Sequence, residues 1–159
     1  MAIKRYRKIV NVLGWVVLIA MFVYVAMIWN SLPDQIPMHY NLQGEIDSYG
    51  GPAFILIMPI VMSLLFIMIA VIEHHPGIWN IPVEVCESAK EKIYESMALT
   101  LVTIRFLLIL FAGIETYLSV NGRNIPVILN VLFMGGVIML PIIDMIYIVK
   151  INKKGRELQ

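Results

Sequence analysis

Four long apolar segments dominate the chain, at residues 9–30, 53–72, 97–120 and 125–149. Each has about 20 to 25 residues, and about 20 helical residues cross the ~30 Å hydrocarbon core of a bilayer. Only 14% of the 159 residues are charged, against about a quarter in a soluble domain. The segments therefore predict an all-α integral membrane protein, a four-helix bundle that forms a single transmembrane domain.

The first apolar segment follows a basic start, which is also typical of a signal peptide. Residues 9–30 are longer than the roughly 7–15 apolar residues of a signal sequence, and no small-x-small cleavage site follows them. We therefore interpret this segment as an uncleaved first transmembrane helix.

The basic residues predict the orientation of the bundle. Of the 12 Lys and Arg residues, all but Arg105 and Arg123 lie near the two termini or in residues 73–96. By the positive-inside rule, both termini and the loop 73–96 are cytoplasmic in a multi-pass protein of the cell membrane. The single cysteine, Cys86, then lies in a reducing compartment and cannot form an intrachain disulfide. The net charge of +1 gives no indication of nucleic-acid binding.

Residues 31–52 form the polar loop that this orientation places outside. Pro33 and Pro37 disfavour a helix and favour extended backbone before them. Asn41 and Gly44 supply turn chemistry between two short extended stretches. The sequence therefore predicts an extracellular β-hairpin between helices 1 and 2.

The cytoplasmic loop, residues 73–96, contains two turns and an amphipathic stretch. His74, His75 and Pro76 end the second helix. Residues 84–96 carry regularly spaced charges and predict a helix that lies along the membrane surface and continues into the third span. Within the second span, Pro59 predicts a kink.

Arg105 and Asp144 are charged residues inside the predicted spans. At ~1.5 Å per residue they lie roughly 13 Å and 9 Å from the cytoplasmic side. Because an isolated charge in the membrane costs at least ~2.5–3.5 kcal/mol, we predict that these two pair, with Asn11 nearby.

Glu115 and Asn130 lie equally far from the predicted outer turn, and Tyr24 reaches a similar depth. They predict a second, outer polar layer. Either both layers only set the helix register, or they line a small cavity or ion path, since such carboxylates also serve as proton relays.

The outer loop holds the candidate ligand-binding residues. They are Asp34, Pro37, His39, Tyr40, Asn41, Gly44, Glu45 and Asp47. A zinc site needs three or four convergent ligands, and this loop has a single histidine, so we expect no metal. The polar groups then either hydrogen-bond within the loop or form a surface for a partner. Motifs for catalysis or phosphate binding are missing from the sequence, so we expect neither an enzyme nor a cofactor.

Residues 32–47 also follow a recognisable pattern, L-P-x-x-I-P-x-H-Y-N-x-x-G-x-x-D. This pattern resembles that of bacterial membrane proteins with the domain of unknown function 1648, in which it lies between the first two transmembrane helices. The resemblance covers about residues 10–75, and Pro37, His39, Gly44 and Asp47 match at the family's spacing.

This resemblance implies a function for the outer loop. The same module forms the N-terminal part of larger immunity proteins of the SdpI type, whose additional C-terminal module is not found in these 159 residues. Those proteins protect a bacterium against its own secreted peptide and hold a repressor at the membrane. The resemblance thus implies a sensing or immunity protein whose partners are the bilayer, an extracellular peptide and a cytoplasmic regulator. The alternative is a small transporter or channel subunit that works as an oligomer around Glu115, Arg105 and Asp144.

Overall fold

The computed structural model describes residues 2–157, which form four long helices and one hairpin. The helices are α1 (Ala2–Ile28), α2 (Ile57–His74), α3 (Lys90–Val120) and α4 (Val127–Arg156). Strands β1 (Ile36–Tyr40) and β2 (Ile46–Gly50) pair antiparallel between α1 and α2. All four helices are long and apolar enough to cross a membrane. The predicted fold class, a four-helix membrane bundle with a hairpin after the first helix, is confirmed.

The helices extend beyond the apolar segments at one end of the bundle. α1 includes the basic residues before residue 9, and α4 continues through the basic residues to Arg156. Hydropathy marks only the part of a helix that lipid surrounds, whereas the backbone hydrogen bonds continue into water. We call the end with residues 2–8, 75–89 and 150–157 the basic end, and the end with residues 31–52 and 121–126 the hairpin end.

Helix α3 is the centre of the bundle. It packs against α1, α2 and α4. Met21 of α1, Phe66 of α2, and Ile109 and Ala112 of α3 form one buried cluster. α4 is peripheral, because only Ile148, Asn152 and Gly155 of this helix are buried. Most of its apolar surface is therefore left for lipid.

The start of α2 differs from the sequence-based prediction. A 3-10 helix, Pro52–Leu56, precedes α2, and Pro59 is the third residue of the α-helix. Amides in the first turn of a helix have no partner within the helix, so proline costs little there. The irregularity in this segment is a change of helix type just before Pro59.

The predicted helix over residues 84–96 is correct only in its second part. Helix begins with a 3-10 turn at Glu87 and continues as α3 from Lys90. Cys86 has an extended backbone. Its amide donates to the side-chain oxygen of Asn152, a buried residue of α4, at 2.9 Å. Asn152 Nδ2 donates to the Glu84 carbonyl, also at 2.9 Å. These two bonds attach the loop to the end of α4 and prevent a separate helix along the membrane surface.

We predict that Asn152→Ala lowers the stability of the protein by about 1–3 kcal/mol, since the partly buried Cys86 amide loses its partner. The Glu84 carbonyl keeps the bond that Arg156 donates. The Cys86 amide should also exchange faster in hydrogen–deuterium exchange. Lys153→Ala, at the exposed neighbouring position, is the matched control and should change neither quantity. Equal exchange at Cys86 in the two variants would contradict the role of Asn152.

Candidate functional site

The hairpin turn is built by Asn41, Gly44 and Glu45. The Asn41 side-chain oxygen accepts from the Glu45 amide at 2.9 Å, and its Nδ2 donates to the Glu45 carboxylate at 3.1 Å. The backbone of Asn41 bonds to Glu45 and Gly44 at 2.9 Å each. Gly44 has φ +81°, a left-handed conformation that glycine adopts without steric cost. The predicted turn is confirmed, and its polar residues are engaged within it.

The turn is docked on the α3–α4 connection. The Ile125 amide donates to the Gly44 carbonyl at 2.8 Å. The Asn124 side-chain oxygen accepts from the Ile46 amide at 3.0 Å, and Asn130 Nδ2 donates to the Leu42 carbonyl at 2.9 Å. Gly44 is itself buried, because the backbone of Ile125 occupies the space beside it. The hairpin is thus held in one position over the ends of α3 and α4.

Tyr40 links the hairpin to the outer intramembrane polar group. Its hydroxyl lies 2.9 Å from Ser119 Oγ and 3.2 Å from the Arg123 carbonyl oxygen. Ser119 Oγ in turn donates to Glu115 Oε1 at 3.0 Å. Burial raises the pKa of Tyr40 above its ordinary value; the Ser119 bond opposes this shift, and the charge of Glu115 adds to it. Tyr40 is therefore a neutral structural contact at physiological pH.

His39 and Asp47 form an exposed pair across the two strands. His39 Nδ1 lies 2.7 Å from Asp47 Oδ1, and the side chains are 66% and 42% exposed. An exposed ion pair contributes only about 0–1 kcal/mol to stability. Their other polar atoms, Nε2 and Oδ2, have no hydrogen-bond partner among residues 2–157. The hairpin thus presents a preformed polar pair to the surroundings.

The remaining candidates of this loop have different surroundings. Pro37 is buried and lies opposite Tyr49 in the hairpin. Asp34 is exposed in the connection before β1. Glu45 is exposed at the turn and bonds only within it. Tyr40 and Gly44 thus contact the rest of the bundle. The three acids of this loop are exposed.

Arg105 is buried near the basic end, and its partner is Glu73. Arg105 Nη2 lies 3.1 Å from Glu73 Oε2, and the two side chains are 2% and 1% exposed. Arg7 Nη2 donates to Glu73 Oε1 at 2.7 Å. Asn11 accepts a short bond from Arg105 Nη2, and the guanidinium lies 4.9 Å from the Phe66 ring centre. The cluster joins α1, α2 and α3.

Glu73 and Arg105 are close enough for an ion pair, but they do not form a hydrogen bond with each other. Glu73 Oε2 and Arg105 Nε have no hydrogen-bond partner, although Oε2 is close to Arg105 Nη2. The attraction between these two groups is therefore mainly electrostatic, and it is strong because water is excluded from both side chains.

The predicted pair of Arg105 and Asp144 is wrong. Asp144 accepts a short hydrogen bond from Ser96 of α3 and lines an open groove between helices near the basic end, away from Glu73. The similar predicted depth did not imply contact, because Arg105 faces α1 and α2 whereas Asp144 faces Ser96 in the groove between α3 and α4. The contact of Asn11 with Arg105 is confirmed.

The predicted outer layer is connected through other residues. Glu115 bonds to Ser119, Asn130 to the Leu42 backbone, and Tyr24 packs its ring against Tyr117 with centres 6.1 Å apart. Within the described part of the chain, Glu115, Asn130 and Tyr24 make no side-chain hydrogen bond to one another. Glu115 contacts the hairpin through Ser119 and Tyr40, and Asn130 contacts it directly at Leu42.

Sequence reasoning missed Glu73 and Arg7, which it assigned to a loop and to a basic terminus. The sequence does contain a signal for Glu73, which is the spacing of residues along one face of α2. The buried residues of this helix are Pro59, Ser63, Phe66 and Glu73, which recur at helical spacing. Glu73 therefore continues the apolar stripe. On α1, Arg7 and Asn11 are likewise one turn apart on one face.

Among residues 2–157, no three His, Cys, Asp or Glu side chains come together as a metal ion would require. His74 and His75 each bond through Nδ1 to a backbone carbonyl four residues earlier, at 2.7 and 2.8 Å. They act in the described structure as caps of the α2 end.

Comparison with known proteins identifies one part of the chain. No curated protein and no solved structure matches the chain. The family model described as "Domain of unknown function (DUF1648)" matches residues 16–63. This match covers about the second half of α1, the hairpin and the start of α2. The docking partners of the hairpin on α3 and α4 lie beyond it. The chain thus has four helices long and apolar enough to cross a membrane, and its residues 16–63 match the DUF1648 model.

Proposed function

We propose that this protein is a non-enzymatic receptor-like membrane protein that binds a cationic extracellular peptide or envelope component through its hairpin, for sensing or for immunity. The observation that carries the proposal is the exposed His39–Asp47 pair on a hairpin that is docked in place. The pair adds little stability, so its position on a rigid support favours a role in recognition. A preformed binding surface also reduces the ordering cost of binding.

Charge indicates the kind of ligand. Residues 31–52 contain Asp34, Glu45 and Asp47 and no Lys or Arg. All three acids are exposed. Complementary charge increases the rate of association and the selectivity for a partner. This supports a cationic ligand, and the positive-inside orientation supports its arrival from outside.

The alternative, an oligomeric transporter or channel around Glu115, Arg105 and Asp144, has less support. Arg105, Ile109, Ala112 and Glu115 follow one another along a buried face of α3. Over the ~15 Å between the two charged residues, that face is apolar, and Ile109 and Ala112 pack in a closed cluster with Phe66. Arg105 is already neutralised by Glu73.

The proposal predicts that His39→Ala with Asp47→Ala removes protection in the native host. We expect the minimal inhibitory concentration of cationic envelope-active peptides to fall to that of a full deletion, because the binding pair is lost while the hairpin stays docked. Asp34→Ala, which removes one exposed acid of the same loop and leaves the pair intact, is the comparison variant and should lower the tolerance much less than the double variant.

The variants must first be shown to reach the membrane at wild-type levels. If the double variant, the deletion and the wild type then tolerate every peptide of the panel equally, recognition by this pair is contradicted. If Asp34→Ala is as sensitive as the double variant, general acidity and not the pair is responsible.

A further inference from the structure

A second polar site lies at the opposite end of the molecule, between α1 and α2. It is a pocket of about 370 Å³ lined by side chains of both helices. The lining residues are Lys4, Arg7, Lys8, Asn11, Val12, Glu73 and His74. On α1, Lys4 lies three and four residues before Arg7 and Lys8, and Asn11 lies four and three residues after them, so one helical face supplies all four polar groups.

The pocket has an excess of positive charge. Its single carboxylate, Glu73, is engaged by both Arg7 and the buried Arg105. Lys4 and Lys8 are exposed and have no carboxylate partner among residues 2–157. Arg7 uses Nε and Nη2 toward Glu73, so its third nitrogen, Nη1, is unused. The pocket therefore suits an anion with several acceptor oxygens, such as a phosphate group.

The position of the pocket indicates where this phosphate comes from. The apolar part of α1 begins at residue 9, directly beyond Lys8, and Val12 at the edge of the pocket is 55% exposed. The polar groups thus lie at the level of lipid headgroups, and the apolar edge lies at the level of the acyl chains. Basic pockets between transmembrane helices bind anionic headgroups in this arrangement.

We propose that this pocket binds the phosphate of an anionic phospholipid, with Lys4, Lys8 and the free edge of Arg7 as its ligands. The bound headgroup covers from water the Arg7–Glu73 ion pair, which joins α1 to the end of α2. The proposal is independent of ligand binding at the hairpin.

The test uses the full-length protein purified in a mild non-ionic detergent. Phosphatidylglycerol and phosphatidylcholine with the same acyl chains are titrated, and bound lipid is measured by native mass spectrometry. We expect phosphatidylglycerol to bind at least about tenfold more tightly, and Lys4→Gln with Lys8→Gln to remove most of this preference, because each lysine near a headgroup adds to the attraction. Equal affinity for the two lipids would overturn the proposal.

Lys150→Gln with Lys153→Gln is the matched control. It removes the same charge from exposed positions at the same end of the bundle, but neither residue lines the pocket. We expect this variant to keep the lipid preference within about twofold. If both double variants weaken phosphatidylglycerol binding equally, the attraction is a general effect of basic charge and the pocket is not a site.

Glycerol 3-phosphate distinguishes a lipid from a soluble phosphate. At millimolar concentration it should not displace phosphatidylglycerol, since it lacks the acyl chains that pack beside Val12. Displacement at a concentration similar to that of the lipid would show a site for a soluble anion and would overturn the assignment to lipid.

Discussion

Replacing Glu73 by glutamine is expected to destabilise the protein strongly, because two arginines share this one carboxylate. Glutamine keeps the size of the side chain and removes the charge that Arg7 and Arg105 share. Arg7 is 32% exposed and can be solvated again, whereas Arg105 is 2% exposed and cannot. Breaking a buried pair by removing one partner costs about 3–5 kcal/mol. We expect a loss in this range in reversible unfolding with SDS in mixed micelles.

Two further variants make this experiment specific. Glu87→Gln removes a carboxylate that pairs with Lys90 at 3.2 Å but is 79% exposed, and it should cost less than about 1 kcal/mol. Glu73→Gln combined with Arg105→Met removes both buried charges and should recover part of the lost stability, since apolar replacement of a buried pair is often neutral. A loss for Glu73→Gln no larger than that for Glu87→Gln would contradict the importance of the buried cluster.

Replacing Gly44 by alanine is expected to detach the hairpin from the α3–α4 connection. Its φ of +81° costs an L-residue roughly 1–2 kcal/mol. An added Cβ would also collide with the Ile125 carbonyl oxygen, and the carbonyl carbon is 3.0 Å away. Overpacking of this kind costs about another 1–3 kcal/mol. We expect a lower melting temperature and faster exchange of the Ile125 and Ile46 amides, whose hydrogen bonds hold the hairpin.

Gly122 and Gly51 separate the two causes. Gly122 has φ +61° and open space around an added Cβ, so Gly122→Ala measures the backbone strain alone. Gly51 has neither a positive φ nor a neighbour within 4 Å, so Gly51→Ala should be nearly neutral. If Gly44→Ala and Gly122→Ala cost the same, the contact with Ile125 does not determine the choice of glycine.

The hairpin shows how far local sequence reasoning reaches. Proline positions and the Asn41–Gly44 turn predicted two short strands, because these preferences act over only a few residues. The contact of His39 with Asp47 follows from the same short-range pairing. The attachment to Asn124, Ile125 and Asn130 involves residues about eighty positions away, and no local preference indicates it.

The intramembrane charges show the limit of arguments from depth. Depth along each helix was predicted from residue counts, and it correctly placed Asn11 beside Arg105. It could not decide between Glu73 and Asp144 as the partner of Arg105, because rotation about the helix axis determines which face meets which neighbour. Glu73 also lies just beyond an apolar segment, where hydropathy assigns residues to a loop.

The amino-acid sequence by itself determined the membrane class, the number of spans, the hairpin and its turn. These follow from the hydrophobic effect over about 20 residues and from backbone preferences of single residues. The packing of the helices, which is visible only in three dimensions, places α3 at the centre and Glu73 beside Arg105. It also divides the loop of residues 31–52 into a docked part and an exposed His39–Asp47 pair. The physical reason is that helices in lipid carry apolar side chains on most of their surface, so hydrophobicity cannot select which helices become neighbours. Close packing and a few buried polar contacts select them.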